Sequence, residues 1–274
     1  METTSLPLIW GLGYLAGLGL TLSLVLAAAG RWLLVPEDPR IHQLEELLPG
    51  TNCGACGQPS CRAFAQGLGL GQLQPADCNV STEAEREVVA QFLGVEVGQR
   101  ERLVARLACN GGTGVAQRAF DYQGPASCRA AAEVAGGPLV CAWGCMGYGD
   151  CQAACSFKAI EMTERGLPQV DFSRCTACGD CVQVCPKDLF RLVPVRQALW
   201  IYCRNHQEGE AALAGCDVAC TACGLCVQDA RPGLLTLIDH LVVMEPEAWD
   251  QGTAKAAGRC PTGAIRWRPD PQTS

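Results

Sequence analysis

The stretch that decides the fold is CTACGDCVQVCP, residues 175–186. Its four cysteines follow the spacing C-x2-C-x2-C-x3-C, and a proline comes directly after the last of them. Thiolates at this spacing hold [4Fe-4S] clusters, and the fourth cysteine ligates the second cluster when two clusters share one domain. A single zinc ion is normally held by other spacings. The stretch therefore predicts a two-cluster domain and a second run of cysteines nearby.

A stretched version of this run lies upstream and reads C-x3-C-x5-C-x3-C. In two-cluster bacterial ferredoxins each run supplies three ligands to one cluster and its last cysteine to the other. Crossing the fourth ligands in this way predicts one cluster on Cys141, Cys145, Cys151 and Cys185. It predicts the second cluster on Cys155, Cys175, Cys178 and Cys181. Ser156 replaces the usual proline, which removes no ligand.

The decisive stretch recurs 45 residues later as CTACGLCVQDAR, residues 220–231. The copy keeps three cysteines, but Ala230 stands where the fourth belongs. Further on, CPTGAI at Cys260 resembles CSFKAI at Cys155, which makes Cys260 the candidate for the crossed fourth ligand. The repeat therefore predicts a module that has kept one cluster and lost its mate. The predicted ligands are Cys220, Cys223, Cys226 and Cys260.

A separate cysteine motif, TNCGACGQPSC, occupies residues 51–61. Gly54 and Gly57 allow the backbone amides to turn toward the sulfurs, as cluster loops require. Four thiolates satisfy either one [4Fe-4S] cluster or a tetrahedral zinc ion, so both remain open from spacing alone. The ligands of this small domain are predicted to be Cys53, Cys56, Cys61 and Cys78.

Four of the 20 cysteines remain after these assignments. That is the number one further cluster needs, so the sequence predicts four [4Fe-4S] clusters and leaves a fifth open. Free thiols or a redox-active pair are the alternatives. The tight bursts of cysteines favour metal sites in a reducing compartment over a disulfide framework. The remaining residues are Cys109, Cys128, Cys203 and Cys216.

The N-terminus is apolar, with no Asp, Glu, Lys or Arg from Leu6 to Ala29. A helix of that length spans roughly 36 Å, enough to cross a membrane. Arg31 and Arg40 follow the segment, whereas only Glu2 precedes it. The positive-inside tendency therefore places the body on the cytoplasmic side of the cell's inner membrane. A cleaved signal peptide is the alternative, but the leading residues lack positive charge and the apolar run is too long.

Charge and residue patterns exclude several functions. The formal net charge is −7 and no basic stripe occurs, which argues against a nucleic-acid partner. Residues 110–114 (NGGTG) lack the P-loop lysine and the spaced dinucleotide glycines, so no nucleotide site is predicted. His42, His206 and His240 share no spacing with the cysteines and are expected to be surface or structural residues. No catalytic residue is predicted, and several clusters on one chain favour electron conduction.

The predicted fold is α+β, with an N-terminal transmembrane helix, a small four-cysteine iron–sulfur domain, and bacterial ferredoxin-like 4Fe-4S modules. Short strands are predicted at 159–162 and 167–170 around a turn at Gly166, and at 264–267. Residues 82–107 show helical periodicity with a break near Gly94.

The predicted segments are the anchor and its flanks at 1–34, the four-cysteine domain at 35–95 beginning in a Pro-containing linker, a connecting segment at 96–140, the two-cluster domain at 141–195, the single-cluster module at 196–268 and a tail at 269–274.

Taken in order, the anchor, CGACGQPSC with Cys78, and the ferredoxin runs resemble the B subunit of the Rnf electron transport complex. The segments CNGG at Cys109, YQG at Tyr122, Cys128 and GCMGYGDC at 144–151 resemble its longer, cluster-rich form. Nearly the whole chain takes part in the resemblance. Two features depart from the family's fullest pattern: Ala230 stands in place of a cysteine, and no second three-cysteine run follows downstream. Both departures concern the ligands of the same cluster.

The resemblance implies a membrane complex with oxidoreductase and translocase activity, which passes electrons between reduced ferredoxin and NAD and moves sodium or protons. This chain would relay electrons from soluble ferredoxin to the other subunits of the complex, which would hold the flavin and NAD sites. Two other functions stay open. The CGxCGxxxC domain also resembles corrinoid iron–sulfur proteins of methyl transfer, although no corrinoid domain is visible. The second is a structural zinc protein.

Overall fold

A computed structural model describes residues 5–32, 38–245 and 254–268. Glu2, the first half of the predicted linker (35–37) and the predicted tail lie outside the described residues. The chain divides into two compact units, residues 1–43 and 44–274.

The first unit contains the long apolar helix α1, Ser5–Trp32. Its segment Trp10–Trp32 has a mean hydropathy of 1.9, none of it is buried within the protein, and it is the one described helix long and apolar enough to cross a membrane. The hydroxyl of Thr21 donates to the carbonyl of Leu18 at 2.9 Å, so this polar group is satisfied within the helix. The helix α2, Pro39–Glu46, begins after Asp38, whose carboxylate accepts the N–H of Arg40.

The four-cysteine domain is built on two helices, α3 (Cys61–Gly69) and α4 (Glu83–Leu93). Thr82 and Glu85 form a capping box at the start of α4, because each side chain accepts the other's backbone N–H. Gly94 ends α4 in the left-handed conformation at φ +68°. Phe64 of α3 and Val89 of α4 are fully buried and form part of the core of this domain.

The helix predicted over residues 82–107 is correct only in its first half. Residues Leu103–Leu107 form the strand β1, in which every residue after the first is buried. A local periodicity cannot reveal this, because β1 pairs with a strand almost 90 residues further along the chain. Tertiary pairing therefore overrides the helical pattern.

The first ferredoxin-like module runs from β1 to β4. Three short helices and a hairpin lie between the outer strands, and β1 pairs antiparallel with β4 from Leu103 opposite Pro194 to Leu107 opposite Phe190. Both predicted strands of the hairpin are confirmed, with Ile160 opposite Val170. The segment predicted as a connection, 96–140, thus contributes β1 and α5 to this module. After β1 the elements are α5 (Cys128–Glu133), α6 (Asp150–Ala153), β2 (Ile160–Met162), β3 (Pro168–Val170), α7 (Asp180–Val184) and β4 (Phe190–Pro194).

The second module repeats this topology. Its outer strands β5 and β8 pair antiparallel, and the hairpin β6–β7 lies between them in the chain. The strand predicted at 264–267 is confirmed as β8. The repeat seen in the sequence is therefore also a repeat of the fold. The elements are β5 (Leu199–Ile201), α8 (Gly209–Gly215), α9 (Leu225–Asp229), β6 (Leu235–Ile238), β7 (Leu241–Met244), α10 (Ala254–Gly258) and β8 (Ile265–Trp267).

Each module has its own small core, and hydrogen bonds join the two. Phe190 is 1% exposed in the first core, and Leu199 is fully buried in the second. The indole N–H of Trp200 donates to the carbonyl of Leu107 at 2.8 Å, which ties β5 to β1. Because this contact is buried, it fixes how the two modules lie against each other.

Candidate iron–sulfur centres

Two cavities are lined by the cysteine sets that the spacing predicted. The space inside them, with their open mouths included, is about 330 Å³ in the first module and about 380 Å³ in the second. The hairpin group consists of Cys155, Cys175, Cys178 and Cys181. The C-terminal group consists of Cys220, Cys223, Cys226 and Cys260. The crossed fourth ligand therefore lies beside its three partners in both modules.

A third cavity of similar size, about 350 Å³, lies between the modules. Each module supplies two of the four cysteines that line this cavity. Gly111 lines the cavity, and a Cβ at this position would lie 3.5 Å from Sγ of Cys216 and 3.7 Å from Sγ of Cys109. The missing side chain thus leaves room beside the sulfurs. The bridging group consists of Cys109, Cys141, Cys203 and Cys216.

A fourth set of thiols lies around α5, α6 and the end of α7. Burial raises the pKa of Cys145, and the charge of Cys109 raises it further, followed by the charges of Cys128 and Cys151. Burial also raises the pKa of Cys151 to about 12, with further contributions from Cys128 and Cys185. Cys145, Cys151 and Cys185 pack into one apolar core, and Asp150, next to Cys151, accepts the N–H of Cys128. We call these residues the helix group, defined as Cys128, Cys145, Cys151 and Cys185.

This grouping differs from the prediction at Cys141 and Cys128. The sequence prediction placed Cys141 with Cys145, Cys151 and Cys185, whereas in the structure Cys141 lines the bridging cavity and Cys128 lies beside Asp150, the neighbour of Cys151. A turn in which the N–H of Gly144 donates to the carbonyl of Cys141 at 3.0 Å separates Cys141 from Cys145. Cys141 lines the bridging cavity and Cys145 does not.

One signal in the sequence could have revealed the bridging group. Cys109 follows the end of β1 by two residues, and Cys203 follows the end of β5 by two residues. The two cysteines are thus equivalent positions of the repeat. The prediction compared only the cysteine runs and did not extend the repeat to the outer strands.

Asp150 holds the helix group together. Its carboxylate accepts the N–H of Cys128 at 2.9 Å, the N–H of Arg129 at 3.1 Å and the hydroxyl of Ser127 at 2.9 Å. Burial tends to raise the pKa of Asp150, but these donors lower it below its ordinary value. Because Asp150 begins α6 and these donors begin α5, one side chain joins two helices that each carry a thiol of the group. The sequence reasoning did not identify this residue.

The N-terminal group of Cys53, Cys56, Cys61 and Cys78 lies in the small domain. Gly54 and Gly57 adopt left-handed φ values of +72° and +82°, as their role in a tight loop requires. Burial raises the pKa of Cys56, and the charges of Cys78 and Cys53 contribute. The side chain of Asn79 donates to the carbonyl of Ala55 at 3.0 Å, which ties the segment of Cys78 to the loop.

Backbone amides donate to several of these sulfurs. The N–H of Ala159 lies 3.3 Å from Sγ of Cys155, and the N–H of Leu189 lies 3.5 Å from Sγ of Cys185. Both donors come four residues after their acceptor, so the two halves of the first module use the same contact. N–H donors stabilise a thiolate, and hydrogen bonds to the sulfurs also tune cluster potentials.

The donor sets fit a [4Fe-4S] cluster better than a single metal ion. Burial raises the pKa of Cys109 to about 11 and that of Cys181 to about 12, so these thiols need a bound cation to ionise at neutral pH. Among the described residues, no three Cys, His, Asp or Glu side chains stand close enough together to hold one metal ion. Four sulfurs around a wider cavity suit a larger, polynuclear group.

Two of the three histidines contact groups other than the sulfurs. The ring of His206 lies against Trp143, tilted by 43° at 5.3 Å between centroids, and its Nδ1 lies 3.1 Å from the carbonyl of Asp239. The ring of His240 pairs with the carboxylate of Glu208 at 3.1 Å.

Family models identify the two kinds of cluster domain. An Fe–S cluster family matches residues 48–80, and the 4Fe-4S dicluster domain family matches residues 141–189. With the long apolar helix, these domains define the class: a membrane-anchored iron–sulfur protein of electron transfer.

Relatives along nearly the whole chain narrow the class to one family. The chain is 38% identical over 253 residues to the B subunit of the Na⁺-translocating ferredoxin:NAD⁺ oxidoreductase complex of Acetobacterium woodii, a match that covers 92% of this chain and 76% of that one. It is 34% identical over 251 residues to the B subunit of the proton-translocating ferredoxin:NAD⁺ oxidoreductase complex of Clostridium ljungdahlii (91% and 88%). It is 31% identical over 262 residues to the B subunit of the ion-translocating oxidoreductase complex of Methanosarcina acetivorans (95% and 98%). The chain belongs to this family, the B subunits of Rnf-type ion-translocating oxidoreductase complexes, which confirms the resemblance noted in the sequence.

Proposed function

We propose that this chain relays electrons from soluble ferredoxin to the other subunits of an Rnf-type complex, which couples electron flow to NAD with sodium or proton transport. The names of the relatives support this reaction. The observation that carries the proposal is that four of the five cysteine groups follow one another without a gap through the two modules.

Three contacts support the continuity of the series. Cys151, in the helix group, and Cys181, in the hairpin group, are buried in the same apolar core. The N–H of Cys145, in the helix group, donates to Sγ of Cys109, in the bridging group, at 3.5 Å. The N–H of Cys220, in the C-terminal group, donates to Sγ of Cys203, also in the bridging group, at 3.3 Å. Neighbouring sites are thus linked through a single residue.

Each group would hold one [4Fe-4S] cluster, which supplies the ability to take up and release single electrons. The bridging group makes a fifth cluster part of the proposal. Since two of its four thiols come from each module, it would connect the two-cluster module to the single-cluster module. Without a cluster in the bridging group, the C-terminal group would be separated from the helix and hairpin groups by the whole width of the bridging cavity.

The location of the body on the cytoplasmic side of the inner membrane is also part of the proposal. Arg31 and Arg40, on the C-terminal side of the apolar segment, support it. Labelling of the exposed thiol of Cys223 in apoprotein on sealed inverted vesicles and on intact spheroplasts tests this orientation. Labelling in spheroplasts with an impermeant reagent would contradict it.

Analysis of the anaerobically purified full chain tests the relay. Five clusters require about 20 irons and about 20 acid-labile sulfides per chain, and four clusters about 16. Reduced ferredoxin should bleach the visible absorption of the clusters, and the assembled complex should then reduce NAD. A zinc-containing, colourless chain would refute the proposal. An iron-containing chain that ferredoxin does not reduce would favour the methyl-transfer alternative.

A further inference from the structure

A cleft of about 1120 Å³, its open mouth included, lies between the two modules and is lined by positively charged side chains. Four arginines line it, and no described lining residue is Asp or Glu. This is unexpected in a chain with 28 acidic and 21 basic residues. We call it the arginine cleft, defined by Arg106, Arg165, Arg266 and Arg268.

Arg106 is the innermost of the four and only 6% exposed. Its guanidinium lies 5.1 Å from the ring centroid of Phe172 and 5.9 Å from that of Trp200. One terminal nitrogen donates to the carbonyl of Gln197 at 2.6 Å, but Nε has no hydrogen-bond partner among the described residues. A buried cation without an anionic partner is costly, so an external anion would stabilise it.

The other three arginines surround this buried one from both modules. Arg165 comes from the β2–β3 turn, while Arg266 and Arg268 come from β8 and the residue just after it. Arg266 stacks on Tyr202 at 5.5 Å. Within the part of the chain that the structure describes, none of the four arginines forms an ion pair. Arg165 donates to the carbonyls of Asn110 and Gly111, and Arg266 donates to that of Gly263, so these side chains are held in place by neutral acceptors and their positive charge is not neutralised.

The cleft also reaches two of the cluster sites. Cys109 of the bridging group is one of its lining residues. Ala105 lines it as well, and its N–H donates to Sγ of Cys175, in the hairpin group, at 3.4 Å. A molecule seated there would stand against two positions of the electron path, the hairpin group and the bridging group.

We propose that the arginine cleft is the docking site for an acidic protein electron carrier, whose surface carboxylates it receives. The inference rests on the relay function proposed above. The rest of this chain is acidic and would repel such a carrier, so a local positive cleft is needed to orient the encounter. One electron then leaves the reduced carrier and enters this chain. No bond forms or breaks, and no proton is transferred.

The test compares two double variants of the full, cluster-loaded chain in detergent. Arg165→Gln with Arg268→Gln removes two charges from the cleft without touching the stacked Arg106. Because Arg165 also donates to the carbonyls of Asn110 and Gly111 beside the bridging group, Arg268→Gln alone is a second variant, for which a smaller loss in the same direction is expected. Arg118→Gln with Arg196→Gln removes two exposed charges elsewhere and serves as the matched control. The probe is a purified acidic two-cluster ferredoxin. Binding of its oxidised form is measured by calorimetry at low ionic strength, and transfer from its reduced form by stopped-flow absorption.

The cleft variant should bind the oxidised ferredoxin about tenfold more weakly, with a flatter salt dependence, while the control stays within about twofold. Iron and sulfide content should equal that of the unmodified chain, and Arg165→Lys with Arg268→Lys should restore binding. Equal binding by the cleft variant and the unmodified chain would overturn the inference and leave the relay intact. If the unmodified chain neither binds the ferredoxin nor is reduced by it, the relay function itself fails. Saturable binding of pyrophosphate with unchanged ferredoxin binding would show a small-anion site instead, which also overturns the inference.

Discussion

Cys109 and Cys203 line one cavity although they belong to different modules, and each follows the first strand of its module by two residues. The repeat of the fold therefore places two equivalent thiols against each other. With Cys141 and Cys216, they form a site to which both modules contribute equally. The site is therefore complete only when the two modules are packed together.

The assignment of Cys141 to the bridging group and of Cys128 to the helix group is testable by substitution. Cys141→Ser and Cys203→Ser should remove the same EPR signal and about four irons each. Cys128→Ser and Cys145→Ser should together remove a different signal, because they belong to the helix group. If Cys141→Ser and Cys145→Ser instead abolish the same signal, the grouping drawn from the cavities is wrong.

In the second module, the crossed ligand Cys260 should serve the same cluster as Cys223. Cys223→Ser and Cys260→Ser should each remove the cluster of the C-terminal group, because both thiols line one cavity. The measurement is EPR of the reduced protein, with Cys53→Ser as the control that leaves this signal in place. Two distinct losses in the two variants would refute the pairing.

Gly111 should not tolerate a side chain. A Cβ there would lie 3.2 Å from the Cβ of Ala116 and close to two sulfurs of the bridging group. We expect Gly111→Ala to cost about 1–3 kcal/mol in stability and to lower iron occupancy of the bridging group. Gly69→Ala is the control, since no atom lies within 4 Å of the added group in this helix. Full occupancy in Gly111→Ala would show that the cavity is more adaptable than its contacts suggest.

Asp150 should control retention of the helix-group cluster. Asp150→Ala removes the acceptor for three donors and leaves two backbone N–H groups without a partner, at a cost of about 1–3 kcal/mol. The expected result is faster loss of one cluster to an iron chelator, followed by absorption and EPR. Glu161→Gln, on the exposed side of β2, should leave the rate unchanged. An equal rate in both variants would contradict the role of Asp150.

Removal of residues 1–34 should yield a soluble protein that keeps its colour. All five cysteine groups lie within the compact unit 44–274, so the anchor supplies none of their thiols. Iron content per chain after anaerobic purification without detergent is the measurement. A colourless product would mean that the anchor is needed for cluster assembly.

Much of this protein could be predicted because the chemistry is local. A C-x2-C-x2-C loop carries three ligands in seven residues, so its spacing alone identifies the site, and the hairpin at Gly166 follows from its turn residue. The apolar segment is equally local, because its length and lack of charge suffice. The strand β1 was mistaken for helix because its partner β4 lies far away in sequence.

Sequence by itself determined which residues are thiols suited to clusters, which segment is apolar enough for a membrane, and which modules repeat. Only the tertiary structure decided how single cysteines outside the compact runs are shared among sites, and that four scattered arginines meet in one cleft. The physical reason is that spacing does not fix the direction of a cysteine side chain at the edge of a run. The packing of β1 and β5 decides which other thiols this side chain meets.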